Sequence, residues 1–110
     1  MAFTAYHNIT GSSGVDIELI EPGSKAGNIK SIMITNTHAT ADATVTLFLQ
    51  DDPVASAVST FRILSTVAIP SDTSLLLDNA SVLSFDNSAT GYGLYLTVGG
   101  SDTLDVMINR

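Results

Sequence analysis

A length of 110 residues predicts one domain spanning 1–110, enough chain to bury a core without staples. With 45% hydrophobic and 14% charged residues the chain is not a disordered one, and the absence of cysteine excludes disulfides, zinc–thiolate sites and thiol catalysis. Eleven acids against four bases give a formal charge of −7, which argues against nucleic acid and anionic membranes as partners, because both call for clustered Lys and Arg.

The opening "MAFTAYHNIT" has no basic start followed by an apolar stretch, so no leader peptide is expected. Residues 1–10 read as an extended N-terminal arm, and "AFTAYHNI" is a candidate for adding a strand to a neighbour. From there the dominant period is two. "VDIELI" aligns Val15, Ile17 and Leu19 against Asp16, Glu18 and Ile20, and "IKSIMITN" sets Ile32 and Ile34 opposite Ile29 and Met33. "ATVTLFLQ" places Val45, Leu47 and Leu49 opposite Thr44, Thr46, Phe48 and Gln50. A single helical turn is expected near "DPVASAVS". "FRILSTVAI" groups Phe61, Ile63, Val67 and Ile69, with Ser65 interrupting.

"VAIPSDTSLLLD" reads as a hairpin. Pro70 lacks a backbone donor and suits a strand end, Ser71 and Asp72 form the turn, and Leu75 and Leu77 resume the alternation with Leu76 facing away. The polar insert is explained by turn formation alone. "YGLYLTV" aligns Tyr92, Leu94, Leu96 and Val98, and "TLDVMIN" sets Leu104, Val106 and Ile108 against Asp105, Met107 and Asn109. Clusters of Gly, Pro, Asn, Asp and Ser separate these runs. The expected fold is all-β, an antiparallel β-sandwich of about eight strands with the jelly roll among its forms. Val45, Leu47, Leu49, Ile63, Leu94, Leu96, Val106 and Ile108 are the expected core.

Reactive patterns are sparse. His7 and His38 have no nucleophile elbow to serve, so a small hydrolase is the most distant reading. Asp51, Asp52, Asp78, Asp86, Asp102 and Asp105 fall outside any EF-hand spacing. No helix follows "GSSG" or "GYG", as a phosphate cradle requires. No catalytic, cofactor-binding or metal-binding residue is therefore expected. Tyr92 and Tyr95 alternate along one strand, so at most one could stack on a sugar; a glycan- or host-surface-binding module is the alternative function. The positive signal is apolar residues on the polar faces: Ile20, Met33, Phe48, Leu64, Leu76 and Met107. Such surface marks association. Phe3, Tyr6, Phe48 and Met107 are the expected interface residues.

Residues 30–110 carry a resemblance, in "KSIMITNTHATADATVTLFLQDD", "ILSTVAIPSDTSLLLDNASVLSFDN" and "LYLTVGGSDTLDVMINR". The order of these stretches resembles small virion proteins of tailed bacteriophages, particularly those of marine cyanophages. That resemblance implies a non-enzymatic β-sandwich subunit located in the virion. It would be a capsid decoration, neck or tail component that forms homo-oligomers and docks on other virion proteins. It carries over no catalytic residue and no cofactor.

Overall fold

Each apolar run above has one greasy row and one wet row, and a row of that kind is stable only when a second sheet covers it. The computed structural model describes residues 5–11, 15–24, 27–51, 59–88, 91–100 and 103–110. Within them run β1 (Ala5–Thr10), β2 (Asp16–Ile20), β3 (Ser31–Asn36), β4 (Ala43–Gln50), β5 (Thr60–Ile69), β6 (Ser74–Leu77), β7 (Gly93–Val98) and β8 (Thr103–Asn109). One helical turn, α1 (Ala80–Leu83), stands between β6 and β7, capped by Asn79, whose side chain accepts from the Ser81 N–H. The turn expected at "DPVASAVS" falls on residues 52–58, outside the described residues.

The strands form two four-stranded antiparallel sheets, ordered β1-β8-β3-β6 and β2-β7-β4-β5. Each strand of the first half pairs with its mirror in the second: β4 with β5, β3 with β6, β2 with β7, β1 with β8. Pairing of β8 with β3 and of β7 with β4 joins these couples into sheets. A chain folded double and then wrapped into two layers produces this order, which is that of a jelly roll.

Between the layers, Ile32, Ile34, Leu104, Val106 and Ile108 of one sheet face Val45, Leu47, Leu94, Leu96 and Val98 of the other, all at most 1% exposed. Each such side chain contributes about 1.5–3 kcal/mol by leaving water. Of the expected core, Leu49 and Ile63 are only partly buried; the other six are fully enclosed.

Four expectations are corrected. Of the arm expected over 1–10, residues 1–4 lie outside the described residues, and residues 5–10 are instead β1, in continuous register with β8 from Ala5↔Ile108 to Thr10↔Thr103, with Ile9 buried. "VAIPSDTSLLLD" is not a hairpin, because β5 and β6 lie in different sheets and the turn carries the chain across the sandwich edge. There Asp72 takes a φ of 53° and its N–H donates to the His38 carbonyl at 3.2 Å. The crossing sets Leu75 and Leu77 beside the fully buried Ile34 and Ile32 of β3. Along β2 a register shift between Glu18 and Ile20 lets Leu19 and Ile20 both be buried. Along β5 Arg62 pairs with Phe48, Leu64 with Leu47 and Val67 with Val45, so two extra residues break the alternation; Thr66, at φ 52°, sits in the second bulge.

Two buried asparagines tie loops to strands. Asn36 donates from Nδ2 to the carbonyls of Ala41 (2.8 Å) and Ile69 (3.0 Å) and accepts the His38 N–H (3.0 Å). Asn87 donates to the carbonyls of Glu21 (2.9 Å) and Tyr92 (2.7 Å) and accepts from the Ser24 hydroxyl (2.7 Å).

Candidate association surface

The outer face of the β1-β8-β3-β6 sheet is where the misplaced apolar residues meet. Tyr6 pairs with Met107, Met107 with Met33, and Met33 with Leu76. One residue from each strand therefore forms a single apolar row, about 14 Å long from three strand spacings. Tyr6 is 67% exposed and Leu76 54%, while the two methionines between them are half-buried. Unbranched thioether side chains adapt their shape to a partner, which suits them to contact surfaces.

The next row is polar and already satisfied within itself. Asn8 donates to the Asp105 carboxylate at 2.8 Å, and the Thr35 and Ser74 hydroxyls are 2.8 Å apart. Covering these groups costs less than covering unpaired ones, because their hydrogen bonds survive desolvation. At Leu76 the apolar surface continues into a groove of about 230 Å³, lined by Ile63, Leu64, Leu77, Val82 and Leu83 together with the polar Asp78 and Asn79. Val82, on α1, is 60% exposed.

The opposite face, on β2-β7-β4-β5, has different chemistry. A shallow polar groove of about 470 Å³ is lined by Asp16, Thr46, Gln50, Thr60, Arg62 and Thr97, among others. Thr97 donates to Asp16 (3.1 Å), Gln50 to Thr60 (3.1 Å) and the Tyr95 hydroxyl to Glu18 (3.3 Å).

Among the expected interface residues, Tyr6 and Met107 lie together on the apolar row. Phe48 does not join them: it lies on the other sheet, 5% exposed, with its ring stacked on Tyr95 at 5.8 Å. Burial of both rings against each other removes Phe48 as a contact and Tyr95 as a sugar platform. Tyr92 is half-buried and packs edge-on against the exposed Phe61 at 5.7 Å. Phe3 lies outside the described residues. Met33 and Leu76 belong to the surface but were absent from the expected set; the signal for both was their place opposite the main stripes.

The histidines have structural surroundings. His38 accepts the N–H groups of Thr40 (3.1 Å) and Ala41 (3.0 Å) on Nδ1, which shapes the loop after β3. His7 projects from β1 with Nε2 buried and without a hydrogen-bond partner among the described residues. Burial, and then the nearby Arg110 charge, hold its pKa below the usual value. Asp86 is fully exposed and its carboxyl is held acidic by the Ser88 N–H, which donates to it at 3.0 Å. Among the described residues no three His, Asp or Glu side chains converge as a metal site. Compared with protein families and with curated proteins, the chain matches none.

Proposed function

We propose that this chain is a non-enzymatic structural subunit of a tailed-phage virion, which self-associates and docks on other virion proteins as a capsid decoration, neck or tail component. The observation that carries this reading is the apolar row Tyr6–Met107–Met33–Leu76, continuous with the groove beside α1. A solvent-facing row of this kind is costly to leave wet and is retained where a partner covers it. The resemblance of residues 30–110 to small phage virion proteins supplies the kind of partner.

The test is a pair of substitutions on the row, Met33→Gln and Met107→Gln, in the phage that carries the gene. Both side chains point away from the core, so the purified variant keeps its thermal midpoint. Mature particles then contain the wild-type protein in a copy number that matches a symmetry axis, and contain the variant at a level reduced by about ten-fold or more. Presence in infected-cell lysate with absence from mature particles overturns the reading, as does undiminished incorporation of the double variant.

A further inference from the structure

A sandwich of two open sheets has four edge strands, and each offers unpaired N–H and C=O groups to any passing chain. Three of the four are blunted here. β6 is four residues long and runs into α1. β5 is interrupted by two bulges, carries Thr66 in the left-handed region and presents the exposed Arg62. β2 has a register shift and presents the exposed Asp16 and Glu18. Bulges, charges and shortness are the devices by which sheets avoid edge-to-edge pairing.

β1 has none of them. All six of its residues pair with β8 in unbroken register, and Ala5, Tyr6, His7, Asn8, Ile9 and Thr10 include no proline and no acid, lysine or arginine. Among the described residues no strand pairs with its other side. We propose that β1 is a homotypic joint, at which the β1 strands of two copies pair antiparallel and fuse their β1-β8-β3-β6 sheets into one eight-stranded sheet.

Self-complementarity selects a second copy as the occupant, and the lack of charge along β1 permits it. Two chains of formal charge −7 repel each other, so they can meet closely only where neither presents charge. β1 is the longer of the two uncharged edges, β6 being the other, whereas a basic partner would be drawn to the acidic rim of β2. Identical strands laid antiparallel are related by a two-fold axis, so the contact is self-complementary and closes at two copies. The joint also deepens the association reading on which it rests, because Tyr6 ends the apolar row at this edge and pairing brings the rows of both copies onto one surface.

The test uses sedimentation of the full chain over a range of concentrations. Wild type is expected to dimerise. Asn8→Lys, which puts a charge on the edge while keeping an Asp105 partner within reach, weakens dimerisation about ten-fold or more with the thermal midpoint unchanged. Met33→Gln with Met107→Gln leaves the dimer intact, so a failed joint and a failed docking row are separate results. The cysteine-free chain adds a direct readout. Among single cysteines placed in turn at residues 5–10, the one on the two-fold axis cross-links to its own copy, because a disulfide needs Cβ atoms about 4 Å apart. A monomer at every concentration, a dimer indifferent to Asn8→Lys, or cross-linking at none of the six positions overturns the proposal; the cysteine series decides the matter if Asn8→Lys fails to fold.

Discussion

Asn36 shows how much one polar side chain holds together here. It is 0% exposed and bonds two carbonyls and one N–H from the loop after β3 and from the end of β5. Asn36→Ala leaves those three groups in a space water does not reach, and the expected loss is roughly 2–3 kcal/mol in urea unfolding. A loss within experimental error would mean that the orphaned groups find other partners. His7 makes a different demand. Its folded pKa lies below the unfolded value of about 6.5, so the folded state binds its proton more weakly than the unfolded chain does. The stability contribution is complete above that value and drains away as pH falls through it. His7→Gln should flatten the change in unfolding midpoint between neutral and mildly acidic pH; an unaltered slope would assign that change to other groups. Neither role was legible in the sequence. "NTHAT" reads as a turn whatever its Asn bonds to, and His7 sits among too few apolar neighbours for its inward direction to register.

At the scale of elements, the existence of the strands was legible and their irregularities were not. Alternation marks a strand because one face is buried, and "ATVTLFLQ" and "TLDVMIN" are strands as read, although Phe48 and Asn109 are buried against the pattern and Leu49 is only partly covered. A bulge adds one residue opposite a partner, so it is visible only once the partner strand is known; this is why Phe61 and Ile63 looked equivalent. The turn after Pro70 has the same residues whether it returns along one sheet or crosses to the other. Phe48 and Met107 were indistinguishable as outward apolar residues, and only register placed Tyr95 beside the first and Tyr6 beside the second. The β5 bulge also stores strain. Thr66 is β-branched and sits at φ 52°, a region costing such residues about 1–2 kcal/mol. Thr66→Asn tolerates that backbone and keeps the N–H that donates to Thr46. It should raise stability by about 1 kcal/mol, and a lower unfolding midpoint would show that the Thr66 side chain packs to greater effect than its backbone suffers.

For the molecule as a whole, the two outer faces divide the chemistry: an apolar row on one sheet, a hydroxyl- and charge-lined groove on the other. The all-β class was readable from composition and period, and the jelly roll stood only as one of its forms, because nested pairing joins strands whose sequences carry no mark of one another. That nesting has a mechanical corollary. Ala5 sits across from Ile108, so the first described strand begins at the corner where the last one ends. A pull on those two strands in opposite directions loads their cross-links one at a time, like a zipper, instead of shearing them together. The next couple inward then takes the strain in its turn. Tension applied there meets a compliant body, because the bonds between those two strands give way in sequence.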